Sequence, residues 1–351
     1  MQGKPVPMFR LRASRAAPPG RASMPERADT FDAAMAQFEE LLKAANVAGP
    51  AASPLPLFYA LSQAGRAISA AAASDGASWR LAGHGLQARA LDGELLDVRV
   101  KPKESRNVQA RTISSFQGVS ELFGGEPIQR SVTIGDVWAA LPEINDLLGR
   151  DGKRRRPLWV VPDDPASSSS KLFPWGRVFV TVVGLTVPDD VRGQARAQAV
   201  ADELGNYAVG VEARWAPWVP VGMSDPVVSE TSHGYGFRLS LEATQPTFAG
   251  HIAALRQVSR EAHGFESFAL LPALGDARGS RLSLWWLVLF GLSMVARYEP
   301  AGWARALDPR TSVIAAPVEE LLRRALEVLP EIIWQQLEWA RIEAIGNDLP
   351  D

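Results

Sequence analysis

The chain has 351 residues, of which 46% are hydrophobic and 22% charged, a composition typical of a folded protein with one large or two ordinary domains. Its net charge of −2 provides no global field for nucleic acid or an anionic membrane, so binding of that kind would need a local patch. The absence of cysteine excludes disulfides, thiolate nucleophiles, iron–sulfur clusters and cysteine-based zinc sites.

The N-terminal segment 1–28 is predicted to be a basic extension, because all its charged side chains up to residue 25 are basic. It loosely resembles an organelle transit peptide. However, Ala and Arg are abundant along the whole chain, which favours the basic N-terminal segment of a cytoplasmic protein. No apolar stretch of a secretory signal follows it, and we therefore expect a cytoplasmic location.

The first half of the chain is predicted to be mainly helical. Apolar side chains recur at three- and four-residue steps, which predicts helices over residues 30–47, 55–73, 114–123 and 134–148. Thr133 is the expected N-cap of the last of these. Asp92 and Gly93 form a turn signal, which predicts a hairpin between the second and third helices.

Strand patterns are concentrated in the middle of the chain. They predict strands over residues 158–161, 178–187, 209–215, 237–241 and 265–271. Helices are predicted between them over residues 189–204 and 248–262. The loop 162–170 contains two aspartates and four consecutive serines, which makes it the best candidate for a linker.

The most apolar segment of the chain runs from Leu282 to Ala296. At about 1.5 Å per residue it is too short for the roughly 20 residues that cross a bilayer, so we predict a buried core helix. Further helices are predicted over residues 302–307, 317–329 and 331–345, with Pro330 breaking or kinking the last pair. If the apolar helix were incompletely covered within one chain, a homodimer through it would be expected.

These elements predict an α+β fold, namely a mainly helical bundle around the central apolar helix 282–296 with a small flanking β-sheet subdomain. Residues 29–351 are expected to form a single unit. A possible subdivision near 162–171 would separate a helical part, 29–161, from a strand-containing part, 172–280, and from the C-terminal helices, 281–351.

Four segments together resemble the YaaC-like family of bacterial proteins. They are LFYALSQAGRAI at 57–68, GHGL at 83–86, the helix 115–123 with LPEINDLL at 141–148, and LFGLSMVARYEPAGW at 289–303. Their order and spacing extend the likeness over most of the chain. The resemblance implies a cytoplasmic bacterial protein of largely uncharacterised biochemistry, and it transfers no active site.

One candidate for catalysis is the pair Arg256 and His263. The sequence has no P-loop, HExxH, GxSxG or EF-hand signature. Arg256 and His263 would lie on one face of the predicted helix 248–262 and its end. An Arg followed by a His resembles the motif of HEPN-type ribonucleases, in which the His would transfer protons and the Arg would stabilise the phosphorane charge without a metal. The alternative is a solvated helix face.

A second candidate is a ligand pocket around two histidines in glycine-containing loops, His84 and His233. If both loops met across a cleft near Tyr59 and Arg66, they would form a polar site for an anionic small molecule or nucleotide. The alternative for His84 is a hydrogen bond to the local backbone.

A third candidate is a basic cluster that could contact phosphates in a salt-dependent manner. It consists of Arg150, Lys153, Arg154, Arg155 and Arg156. A basic surface loop without a partner is the alternative.

The leading functional hypothesis is an accessory binding protein whose partner is a protein or a nucleic acid. A metal-independent ribonuclease, in a role such as phage defence, and a small-molecule or nucleotide enzyme or sensor are the alternatives, so enzymatic activity stays open. No membrane association and no cofactor are predicted. A metal is not predicted either, because the four histidines never fall in a close ligand spacing.

Overall fold

The computed structural model describes residues 8–103, 106–107, 112–122, 128–149, 153–162, 177–185, 190–207, 215–217, 228–231, 234–242, 262–263, 267–274 and 279–347. The chain falls into two compact units. Residues 4–155 and 274–351 form the first, which we name the helical unit, and residues 156–273 belong to the second, the sheet unit.

The helices occupy both ends of the chain. They are α1 (Met8–Ala16), α2 (Pro25–Val47), α3 (Pro54–Ala72), α4 (Ser115–Glu121), α5 (Ile134–Ala140), α6 (Gly193–Leu204), α7 (Arg281–Tyr298), α8 (Pro300–Ala306) and α9 (Ala315–Asn347). All except α6 belong to the helical unit. Short 3-10 helices are formed by Gly20–Ser23, Leu95–Asp97 and Asn145–Leu147.

Two small sheets lie within the helical unit. Their strands are β1 (Arg80–Ala82), β2 (Leu86–Arg89), β3 (Arg99–Pro102), β4 (Arg106–Asn107), β5 (Thr112–Ser114) and β6 (Val132–Thr133). One sheet has the order β1-β5-β4, with β1 parallel to β5, and the other has the antiparallel order β2-β3-β6.

In the described part of the sheet unit, seven strands form an antiparallel sheet. Its strands are β7 (Leu158–Pro162), β8 (Arg177–Val183), β9 (Trp215–Pro217), β10 (Val228–Thr231), β11 (Gly234–Glu242), β12 (Ala262–His263) and β13 (Ser267–Leu270). The order is β10-β11-β8-β7-β13-β12, and β9 also pairs with β11. The predicted α+β class, mainly helical and organised around the apolar helix, is confirmed.

The core of the helical unit is α7. Every residue from Leu282 to Val295 is buried except Met294, which is half-buried. The helix begins in a capping box, in which the hydroxyls of Ser280 and Ser283 each accept the backbone N–H of the other residue. Because a single chain already covers this helix, the premise for a homodimer through it does not apply. Within the described residues, no helix is both long and apolar enough to cross a membrane.

A buried ion pair holds the N-terminal end of α7. Glu143 Oε1 accepts hydrogen bonds from Nε and Nη2 of Arg281, and the two side chains are 5% and 2% exposed. Arg281 Nη1 also donates to Gln335 Oε1 of α9 at 3.4 Å. The turn after α5 is tied to α9 a second time, because Arg324 donates to the carboxylate of Asp146 at 2.7 and 3.2 Å.

The segment taken from the sequence as a basic extension is folded against the helices from residue 8 onward. Leu11 and Ala22 are buried, and α2 begins at Pro25 rather than at residue 30. Arg27, only 3% exposed, donates Nη1 to the carbonyls of Ala70 and Ala73 at 3.3 and 2.6 Å. The start of α2 thereby caps the end of α3, so the two helices are antiparallel.

The helix does not break at Pro330, since α9 continues through this residue, and the alternative, a kink, stays a prediction. A proline inside a helix removes one backbone hydrogen bond and crowds the preceding turn. Here Leu329, Ile332 and Ile333 are buried on either side of it, and their burial offsets that cost. Tertiary packing thus keeps α9 continuous although Pro330 by itself favours a helix end.

The predicted helix 134–148 is too long. Thr133 is its N-cap as predicted, accepting the N–H of Asp136 at 3.0 Å. The helix ends at Ala140 because Leu141 precedes a proline, which disfavours helical backbone, and Leu141 is extended.

Two other predicted elements lie mostly outside the described residues. They are the helix 248–262, of which only Ala262 is described and lies in β12, and the linker loop, of which residues 163–170 are not described.

Replacing Arg281 by Met should destabilise the protein by about 3–5 kcal/mol, because Glu143 would stay buried without its cation. Urea unfolding followed by circular dichroism measures this loss. The double change Arg281→Met/Glu143→Leu should recover most of it, since neither charge is then buried. A single variant within about 1 kcal/mol of the unchanged protein would contradict a structural role for the pair.

Gly65→Ala should cost about 1–3 kcal/mol, because a Cβ on Gly65 would lie 2.4 Å from Cη2 of the buried Trp286. Gly49→Ala is the matched control, since no atom lies within 4 Å of the corresponding Cβ position. The urea midpoints of the two variants should therefore differ. Equal midpoints would show that α3 and α7 can separate without cost.

Candidate functional site

A rigid turn joins β1 to β2 in the helical unit. Gly83 and Gly85 both have positive φ, and a Cβ on Gly85 would also meet Ser114 Oγ at 2.5 Å. The turn is held from two sides. Ser115 Oγ donates to Gly83 O at 2.5 Å, and Lys103 N donates to Gly85 O at 2.8 Å. This anchoring fixes the position of the residue between the glycines.

That residue is His84, which presents a defined imidazole. Its carbonyl accepts from Phe116 N at 3.2 Å, and its Nδ1 accepts from Leu86 N at 3.1 Å. The ring lies against Phe290 of α7, with 5.1 Å between the ring centroids. Since Nδ1 accepts a hydrogen bond, the neutral ring carries its proton on Nε2, which is then an N–H donor with no protein partner in the described structure.

Burial lowers the pKa of His84, and the positive charge of Lys103 lowers it further. The imidazole is therefore neutral near pH 7. The backbone of Lys103 is fixed next to this turn, because its N–H donates to Gly85 O.

A face rich in positive charge lies next to this turn, on the hairpin formed by β2 and β3. Arg89 is directly opposite Arg99 in the antiparallel register, and Lys101 follows two residues later on the same side of β3. Lys103 continues this alternation immediately after the strand. We name these four exposed side chains the basic face. The structure places no carboxylate within ion-pair distance of them among the residues it describes.

The basic face was missed in the sequence analysis, although a signal for it exists. Arg99, Lys101 and Lys103 alternate with Val100 and Pro102, which is the pattern of a strand with one buried and one charged side. The pairing of Arg89 with Arg99 depends on the register of the hairpin and could not be read from composition.

A cavity of about 470 Å³ opens beside the basic face. Its buried walls include Phe116 and Ile128, each 1% exposed. Polar groups around it are supplied by Gly85, Lys101, Lys103, Gln117, Glu121 and Gln129. The volume is in the range of small-molecule sites, and polar residues form most of the lining.

Tyr59 and Arg66, expected near a ligand, lie two helical turns apart on α3. Tyr59 is linked to His84 indirectly: its ring lies 5.6 Å from that of Phe58, which lies 5.3 Å from Phe290. Arg66 donates Nη1 to the carbonyl and hydroxyl oxygens of Ser62, and burial lowers its pKa. His233 lies outside the described residues, so the meeting of the two histidine loops stays a prediction.

Arg256 and His263, the pair of the ribonuclease hypothesis, were expected on one face of a helix. His263 lies in β12, paired with Ser267 of β13, rather than at the end of a helix. Arg256 lies outside the described residues. A role for both residues stays a prediction, but their expected position on one helical face does not hold for His263.

The predicted basic cluster includes a side chain engaged with α5. Arg154 lies 3.9 Å from the carboxylate of Asp136, and a Cβ on Gly135 would meet its Nε at 2.7 Å. Arg150 lies outside the described residues, and Lys153, Arg155 and Arg156 also make interactions of their own. Their contact with nucleic acid stays a prediction. No group of three acidic or histidine side chains in the described part of the chain could hold a metal ion.

Comparison with known proteins identifies a family. The family model described as YaaC-like Protein matches residues 15–337, nearly the whole chain. The matched range includes all four segments that carried the sequence resemblance, which is thereby confirmed, and also the His84 turn and the basic face. No curated protein and no solved structure matches the chain.

The lowered pKa of His84 predicts how stability depends on pH. Below about pH 6.5 an unfolded His binds a proton, whereas the folded His84 does so only at lower pH. The unfolded state thus binds more protons, so acidification should lower the free energy of unfolding. A His84→Asn variant keeps a local acceptor for Leu86 N–H but cannot titrate. Between about pH 7.5 and pH 5.5 the unchanged protein should lose more stability than this variant in urea unfolding; equal losses would contradict the assignment.

Proposed function

The chain belongs to the YaaC-like family, and we propose that it is a nucleic-acid-binding protein that holds a single strand along the basic face. The observation that carries this proposal is the set of four exposed cations, Arg89, Arg99, Lys101 and Lys103, without a carboxylate partner among the described residues. A net charge of −2 makes such a concentration of positive charge local rather than general.

The pairing of Arg89 with Arg99 supports a role in binding. Like charges directly opposite each other in an antiparallel pair lower the stability of the sheet. Local arrangements that reduce stability are concentrated at functional sites. A bound polyanion would remove the repulsion, so the energetic cost in the free protein becomes a gain on binding.

The spacing of the cations favours an extended strand as the ligand. Arg99, Lys101 and Lys103 are at alternate positions along β3 and just beyond it, so they are about 6.7 Å apart. This spacing resembles that of successive phosphates in an extended nucleic-acid strand. The face is only two strands wide, and a row of this kind follows one backbone, as single-strand-binding grooves do.

The chemistry of His84 also favours binding over catalysis. Its Nδ1 is occupied by the N–H of Leu86, so the neutral ring offers a single N–H donor. A fixed donor suits a hydrogen bond to a phosphate oxygen. A general base would instead need an unprotonated ring nitrogen that is free to take a proton from a substrate, and here the N–H of Leu86 occupies that nitrogen.

The test is the salt dependence of binding to a labelled single-stranded RNA, measured by fluorescence anisotropy. The slope of log K against log salt is about −0.7 for each neutralised phosphate of a single strand. The variant Arg99→Gln/Lys101→Gln should therefore bind more weakly, with a slope smaller in magnitude by about 1.4, since two contacts are lost. Single-stranded DNA and a duplex of the same sequence show which nucleic acid is preferred.

Lys43→Gln/Arg310→Gln is the matched control, because it removes the same charge from exposed side chains elsewhere that already pair with acids. This control should leave both the affinity and the slope unchanged. Absence of binding at low salt, or equal losses in the two double variants, would overturn the proposal and direct attention to a protein partner.

A further inference from the structure

We infer that the cavity beside the basic face accepts one nucleotide of the bound strand, with the base against the apolar wall and the phosphate against Lys101 and Lys103. This inference rests on the proposed function and specifies how the same surface would recognise its ligand. The cations alone would bind any phosphate, whereas the cations together with the cavity would distinguish a nucleotide from a bare phosphate.

The first argument is that two residues belong to both features. Lys101 and Lys103 are members of the basic face, and both line the cavity. A strand that follows β3 therefore passes the mouth of the cavity with its phosphates at these two lysines. The base attached to such a phosphate is within reach of the cavity without a change in the path of the backbone.

The second argument is the apolar character of the cavity wall. Phe116 and Ile128, each 1% exposed, lie behind the cavity surface, whereas Pro102, which also lines it, is half-buried and offers apolar surface to a ligand. A phosphate or a sugar alone would leave this part of Pro102 in contact with water. An unstacked base has an apolar face, and sequence-specific recognition of single strands places such bases against apolar and aromatic side chains.

The third argument is the polar groups at the cavity. Gln117 and Gln129 supply side-chain amides, and Gln117 Nε2 donates to Glu121 Oε1 at 2.8 Å. A carboxylate only accepts, so this bond fixes which end of the Gln117 amide is the nitrogen. Amides that can donate and accept are matched to the edges of bases, whereas a phosphate pocket needs donors alone.

Nearby donors complete the arrangement on the phosphate side. His84 carries an N–H donor on the same turn to which the backbone N–H of Lys103 is bonded through Gly85 O. A phosphate at Lys103 would thus combine a charge contact with a hydrogen bond from a neutral group.

The experiment is a titration of the full-length protein, labelled on isoleucine methyl groups, with the four nucleoside 5′-monophosphates separately. The Ile128 methyl resonance should shift and saturate with at least one of them. Ribose 5-phosphate and inorganic phosphate, which lack a base, should leave it unmoved. The methyl of Ile332, buried in α9, should not respond to any of these compounds.

The variant Gln117→Leu/Gln129→Leu separates this inference from the proposed function, because it changes no charge. It should weaken both mononucleotide and single-strand binding by about tenfold, the loss expected for hydrogen bonds to a base, while the salt slope stays the same. The methyl spectrum of the variant shows whether its fold is intact.

An Ile128 resonance unmoved by all four nucleotides at millimolar concentration would overturn the inference. Equal shifts with ribose 5-phosphate would also overturn it, because the base would then contribute nothing. In either case the salt-dependent effect of Arg99→Gln/Lys101→Gln would still support strand binding. Conversely, nucleotide binding without any strand binding would retain the cavity as a nucleotide site and reject the proposed function.

Discussion

The helical unit depends on covering an apolar helix on all sides while accommodating the charge at its start. Helix α7 is buried from Leu282 to Val295 almost without interruption, so its position is set by packing rather than by an exposed polar side. Arg281 is the exception, and Glu143 matches it in a buried ion pair that also reaches α9 through Gln335. Removing a charge from water is costly unless a partner is close, so this pair admits few alternative placements of the helix.

The same helix supports the candidate site. Phe290 of α7 lies under the imidazole of His84, and α4 accepts the turn through Ser115 and Phe116. The turn is therefore attached to the least mobile type of structure in a protein, a densely packed core. A site positioned by such a core binds a ligand without first having to be ordered, which reduces the entropic cost of binding.

The basic face differs from the core, because its like charges lower the stability of the hairpin. The core pairs the buried Arg281 with Glu143, whereas the hairpin exposes Arg89 opposite Arg99 and places Lys101 and Lys103 in line with them. Nothing in the packing of β2 and β3 requires these cations, since the other side of the hairpin carries the buried Val100 and Leu86. Their arrangement is best explained by an anionic ligand, which we propose is a nucleic-acid strand.

The sequence by itself determined the features that arise from local pattern: the buried helix at 282–296, the Thr133 cap, the α+β class and the glycine-flanked turn at His84. Each reflects interactions over a few residues, where periodicity and side-chain chemistry suffice. Only the tertiary structure decided the rest. It kept α9 continuous through Pro330 because neighbouring apolar side chains are buried. It also set the register that opposes Arg89 to Arg99. Finally, it brought residues near 85, 101, 116 and 128 around one cavity, because contacts between distant segments depend on packing that no local pattern encodes.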